Sequence, residues 1–111
     1  MRAKLKSVGD ASILKLSGQI VIGGGDAALI EAVTRLLDGG AKRVVIDLSR
    51  VSYMDSSGLG ALVACRRTAA AQDVPLVLLH PAGKVRDLLQ LTGLGELFRI
   101  FQDEGEAAAR E

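Results

Sequence analysis

The sequence predicts one α/β domain, a mixed central sheet of four to five strands with helices packed on it and a hairpin at its start. Three observations carry this. Strand-like and helix-like segments alternate along most of the chain, which is the pattern of a layered α/β fold. Arg43-Val44-Val45-Ile46-Asp47-Leu48 places four bulky apolar residues around one acid, as expected of a strand covered on both faces. Two short strand-like runs also flank the turn former Gly9-Asp10. The 111 residues suit a single domain over 1–111 that buries roughly two thirds of the surface its unfolded chain would expose. Hydrophobic residues make up 49%, yet two Phe and one Tyr are the only aromatics, so Val, Ile, Leu and Ala must build the core.

Taken in order, Ala3–Val8 partly alternates apolar and polar residues, and Ser12–Leu16 resumes the strand pattern after the turn. Beyond Gly18 the apolar run Gln19-Ile20-Val21-Ile22 is broken by Gly23-Gly24-Gly25, and Asp26 is the expected N-cap of the first helix. Leu29, Ile30, Val33, Leu36 and Leu37 form its apolar stripe, and Asp38-Gly39-Gly40 stops it. The strand at Arg43–Leu48 is followed by a crossover helix over Ser56–Ala71 and by a parallel strand over Val74–Leu79, a βαβ unit. A further helix is expected over Ala82–Leu91, then a Gly93-Leu94-Gly95 break, a short strand over Leu97–Phe101 and a helical tail over Asp103–Glu111. Right-handed crossovers would gather the strand-to-helix loops at one sheet edge.

Fourteen basic and thirteen acidic residues give a net charge of +1 with no long run of either sign, which argues against direct nucleic-acid binding. The single cysteine, Cys65, cannot form an internal disulfide and is expected to be a small core residue. Neither a charged-then-apolar leader nor an apolar stretch of about 20 residues is found, so a cytoplasmic chain without membrane insertion is expected.

Tyr53-Met54-Asp55-Ser56-Ser57-Gly58-Leu59-Gly60 joins the central strand to the crossover helix, a position where open α/β sheets carry functional groups. Asp55 can cap the helix, which sets Ser56 and Ser57 in its first turn beside unpaired N–H groups and the positive end of the helix dipole. An added phosphate is electrostatically tolerated there. A plain helix cap accounts equally for Asp and Ser at these positions. Gly58 and Gly60, however, cost the helix about 1 kcal/mol each relative to alanine, which points to close approach by the sheet or by a partner.

The stretch Val45-Ile46-Asp47-Leu48-Ser49-Arg50-Val51-Ser52-Tyr53-Met54-Asp55-Ser56-Ser57-Gly58-Leu59-Gly60 resembles the signature of bacterial STAS domains. Leu88-Leu89-Gln90-Leu91-Thr92-Gly93-Leu94 and Leu97-Phe98-Arg99-Ile100-Phe101 are similar to that family's C-terminal half. The resemblance implies an anti-sigma factor antagonist. In such proteins the serine after this aspartate, here Ser56, is phosphorylated by a partner kinase that is itself the anti-sigma factor. It further implies a partner surface over Asp55, Ser56, Ser57, Gly58, Leu59 and Gly60, joined by Gly24 and Asp26. The implied partners are a serine kinase of ATP-binding fold and a resetting phosphatase, with a weak homodimer as the one self-association admitted. Where family members commonly carry Gly-x-Ile/Leu-Asp, this chain has Gly18-Gln19-Ile20-Val21, so the family acid is replaced by Val21. Constitutive STAS assembly modules, in stressosomes or lipid-transport complexes, share the fold without phospho-switching and are the alternative.

Catalysis and cofactors are not expected. Gly23-Gly24-Gly25 lacks the lysine and Ser/Thr of a P-loop and is read as a flexible partner-facing loop. His80, the only histidine, would have to meet Ser56 or Ser57 in a hydrolase, but the local sequence is not Gly-x-Ser-x-Gly. A single His and a single Cys give little for a metal site. Lys42-Arg43 and Arg66-Arg67 are expected on solvated faces, and Tyr53 and Met54 are expected to pack at the strand end.

Overall fold

The computed structural model describes residues 1–109. Strands β1 (Arg2–Val8) and β2 (Ala11–Ile20) form the opening hairpin, turned at Gly9 with φ +58. They are followed by α1 (Gly25–Asp38), β3 (Arg43–Met54), α2 (Ser56–Ala71), β4 (Leu76–Leu79), α3 (Gly83–Thr92), a 3-10 turn at Leu94–Leu97, β5 (Ile100–Phe101) and α4 (Glu104–Ala108). The five strands lie in the order β1-β2-β3-β4-β5, with β1 antiparallel to β2 and all later neighbours parallel. The expected mixed sheet with its hairpin is therefore present, with five strands.

Because the parallel strands follow one another across the sheet, every crossover returns in the same sense, and α1, α2 and α3 share one face. Their apolar stripes, Leu29, Val33 and Leu37 of α1, Leu59, Leu62 and Cys65 of α2, and Val85 and Leu89 of α3, pack on Leu14, Leu16, Val44, Ile46 and Leu78 of the sheet. Alternate residues Ile13, Val45, Val77 and Leu79 face the other way, onto Ala107 and Ala108 of α4. A strand buried on both sides must be apolar at successive positions, which is why Val44, Val45 and Ile46 read as a continuous run.

Several boundaries differ from expectation, each for a physical reason. Strand β2 runs beyond Leu16 to Ile20 and bends at Gly18, with φ +92 and register shifts on either side, since a strand glycine accommodates a bulge. Strand β3 likewise runs beyond Leu48 to Met54, because Arg50, Val51, Tyr53 and Met54 pair with the extended end of β2. The N-cap of α1 is Gly24 rather than Asp26, which sits in the first turn. The strand expected over 97–101 keeps two residues, Ile100 and Phe101, as Leu97 closes the 3-10 turn. The tail is helical only over Glu104–Ala108, capped by Asp103, whose carboxylate accepts the Glu106 N–H at 2.9 Å. Its expected last residues, Arg110 and Glu111, lie outside the described residues.

Arg43 also corrects the expectation of a solvated basic pair. It is buried, and its Nε donates to the Ala107 carbonyl at 2.7 Å beneath α4. Its guanidinium lies 6.0 Å from the centre of the Phe101 ring.

Candidate functional site

The carboxyl ends of β2, β3 and β4 point to one edge of the sheet, and the loops leading into α1, α2 and α3 lie there. At the β3–α2 junction Asp55 adopts an extended conformation and caps α2, its Oδ1 accepting the Gly58 N–H at 2.9 Å. Its second oxygen, Oδ2, accepts the Ile22 N–H of the β2–α1 loop at 3.0 Å. One carboxylate thus fastens the two loops together. The Ile22 N–H chiefly, and then the Gly58 N–H, hold the Asp55 carboxyl below its ordinary pKa by favouring the charged form.

That anchored carboxylate sets the backbone from which the serines project. Ser56 is exposed and Ser57 half-buried in the first turn of α2. Among the described residues nothing takes up the Ser56 hydroxyl, so it stands free toward solvent. Gly58 and Leu59 turn inward and present no side chain to a partner: Leu59 is 3% exposed in the core. A Cβ on Gly58 would lie 2.1 Å from the Ile20 carbonyl oxygen and 2.8 Å from Met54 Cγ. The two helix glycines therefore have different causes. Gly58 lets α2 start against the backbone of β2, whereas Gly60 is exposed with nothing within 4 Å of an added Cβ.

The adjoining loop is ordered by its own acid. Asp26 Oδ1 accepts the Gly24 N–H at 3.2 Å and the Ala27 N–H at 2.8 Å, while the Asp26 N–H donates to Val21 O at 3.2 Å. Gly24 is exposed and Asp26 half-buried. Gly25, by contrast, is pressed on β2, where a Cβ would come within 2.7 Å of Gln19 O.

Ile22 was not singled out by sequence, and Tyr53 departs from the packing expected of it. Ile22, 72% exposed, stands next to the Asp55 bond, and Tyr53, 41% exposed, lies under Lys84 Nζ at 5.7 Å rather than packing into the strand end. Met54 is buried as expected. The signal for Ile22 was its place, an apolar residue stranded between the end of a strand and three glycines. His80 closes β4 in a left-handed conformation, φ +52, and its Nδ1 lies 3.2 Å from Gln102 Oε1, so its partner is neither serine. Cys65 is buried in α2, which pushes its thiol up to about 11. No helix among the described residues is long and apolar enough to cross a membrane.

Fold and site together define a small helix-on-sheet domain that presents a serine hydroxyl at a capped helix start, beside a second loop locked to the same cap. The chain belongs to the STAS domain family, whose model matches residues 2–107. It is similar to the anti-sigma-B factor antagonist of Staphylococcus aureus (strain NCTC 8325), 32% identical over 72 residues that cover 65% of this chain and 67% of that protein. The anti-sigma-B factor antagonist of Listeria monocytogenes is 39% identical over 61 residues, covering 55% of this chain and 54% of that protein. Among solved structures, the phosphorylated form of the Bacillus cell-fate determinant SpoIIAA superposes with a TM-score of 0.72 at 25% identity, over 96% of each chain.

Proposed function

We propose that this chain is an anti-sigma factor antagonist whose partner surface is switched by phosphorylation of Ser56. The carrying observation is the free, exposed Ser56 hydroxyl on a helix start that Asp55 already holds through two backbone N–H groups. In the unphosphorylated state Asp55, Ser56, Ser57 and Gly60, with Gly24 and Asp26 of the neighbouring loop, meet an anti-sigma factor that is a serine kinase of ATP-binding fold. Gly58 and Leu59 shape this surface from beneath. Binding releases the sigma factor, in the cytoplasm, and the chain acts as a kinase substrate rather than as an enzyme. Phosphate on Ser56 adds about 1.5 to 2 negative charges next to Asp55. The contact then weakens by repulsion and desolvation while the positive end of the α2 dipole keeps the domain folded. A phosphatase restores the first state. The names of the Staphylococcus and Listeria relatives, and the phosphorylated form of SpoIIAA, support this assignment.

One observation favours a second reading, a constitutive assembly module: Val21 stands where family members commonly carry an acid, which removes a charge from the same edge. Incubation with magnesium ATP and a lysate of the host, followed by phosphopeptide mapping, separates the two. The switch requires phosphate on Ser56 that disappears in Ser56→Ala and persists in Ser57→Ala. No phosphate, or phosphate on Ser57 alone, overturns it.

A further inference from the structure

On the sheet face that carries α4, the half of β1, β2 and β3 that α4 does not cover forms a groove of about 570 Å³ lined by Arg2, Lys4, Lys15 and Arg50. Strand register explains the cluster: Lys4 lies opposite Lys15, and Arg2 opposite Ser17, which in turn lies opposite Arg50. All four cations are exposed, and among the described residues none has an ion-pair partner. Lys6, further along β1, is by contrast paired with Glu104 of α4 at 2.9 Å. Asp47, in register with Lys15, is buried, and its Oδ1 accepts the Ser49 N–H at 2.9 Å.

Protection of an open sheet edge is an ordinary reason for cations on β1. It does not extend to Lys15 and Arg50, which sit on the inner strands β2 and β3. Like charges directly opposite across a strand pair are destabilising, so Lys4 against Lys15 is a local cost that an anionic counterpart would offset.

We propose that this groove binds an extended acidic segment of a partner protein. The cations spread across two inter-strand spacings, about 10 Å in all, too far apart for one phosphate to touch them all. Carboxylates at alternate positions of an extended chain recur every ~7 Å, the spacing of Arg2 and Lys4, which likewise stand two residues apart on β1. Aliphatic stems of the lysines and arginines supply the groove walls. The site lies on the face opposite α2 and is separate from the Ser56 surface.

The test is a titration of a fluorescein-labelled peptide of alternating glutamate and valine with the full chain, read by anisotropy at low and high salt. Wild type should bind with an affinity that falls as salt rises. Lys15→Glu/Arg50→Glu, and the milder Lys15→Gln/Arg50→Gln should the first fail to fold, should weaken binding by at least about tenfold. Arg66→Glu/Arg67→Glu on α2 and Ser56→Asp should leave it unchanged. Absence of binding by wild type, equal affinity of the groove variants, or a preference for inorganic phosphate or anionic vesicles over the peptide would each overturn the proposal. So would a dimer in sedimentation that the groove variants abolish, since a second copy would then be the occupant.

Discussion

Replacing Gly58 by alanine probes the contact that shapes the phosphorylation site. On an unobstructed helix the change should stabilise by up to about 1 kcal/mol through propensity alone. Here the new Cβ would lie 2.1 Å from the Ile20 carbonyl oxygen, more than 1 Å inside ordinary contact, which begins at 3.4 Å. The obstacle is backbone at the end of β2, held there by pairing with Met54 of β3, so α2 must move instead. Overpacking of this kind costs about 1 to 3 kcal/mol, and with a rigid obstacle the upper end applies, leaving a net loss of about 2 kcal/mol after the propensity gain. For a domain of this length that corresponds to a fall of roughly 8 °C in Tm. The Asp55 N–H bond to the same Ile20 oxygen and the Asp55 bond to Ile22 straddle the contact, so the cap should loosen as well. Urea denaturation followed by circular dichroism measures the loss. A Gly58→Ala protein as stable as wild type would refute the close approach and the separation of the two glycines argued from it.

Gly60→Ala is the converse case: with open space around its Cβ it should stabilise the domain by about 1 kcal/mol in the same urea assay, and a clear loss would contradict the assignment of Gly60 to the free surface. Arg43→Ala should cost about 2 to 3 kcal/mol, since it removes a charged hydrogen bond to a buried carbonyl. It should also release α4, detected as faster proteolysis near the C-terminus. The Asp55 carboxyl is held low in the folded state, so its contribution is fully present above the ordinary carboxyl value, near 4, and is lost as pH falls through the lowered folded value. Asp55→Asn should flatten the stability curve on its acid side, and an unaltered slope would count against the cap. Cys65, with its thiol pushed up to about 11, should resist iodoacetamide at neutral pH in the folded protein and react promptly in urea.

Where local chemistry fixes an element, the sequence is a sufficient guide. Helix α2 begins where Asp55 places it, because an aspartate cap satisfies an N–H group of the first turn that the helix itself leaves without a partner. The β3 core and the hairpin are similarly legible from their hydrophobic pattern. Features decided by neighbours distant in sequence are not. Residues 49–54 carry the polar composition of a loop, and their strand conformation follows from pairing with a β2 that bulges at Gly18. Asp26 has the chemistry of a cap, but the tight packing of Gly25 on β2 sets the cap two residues earlier, at Gly24.

The site divides in the same way. Asp55 as cap and Ser56 as an exposed first-turn residue follow from the motif itself. Which of Gly58 and Gly60 meets the sheet, why Leu59 turns into the core, and how Ile22 comes to Asp55 depend on where β2 ends relative to α2. No spacing within 53–60 contains that information. Arg43 is a comparable case, since its burial requires α4 to fold back from the far end of the chain.

The most direct test of the switch is a lysate pull-down with wild type, Ser56→Ala and Ser56→Asp, with captured proteins identified by mass spectrometry. The account predicts that the first two retain a serine kinase of ATP-binding fold and that the third loses it. Equal capture by all three variants, whether of that kinase or of scaffold or transporter subunits, would contradict it.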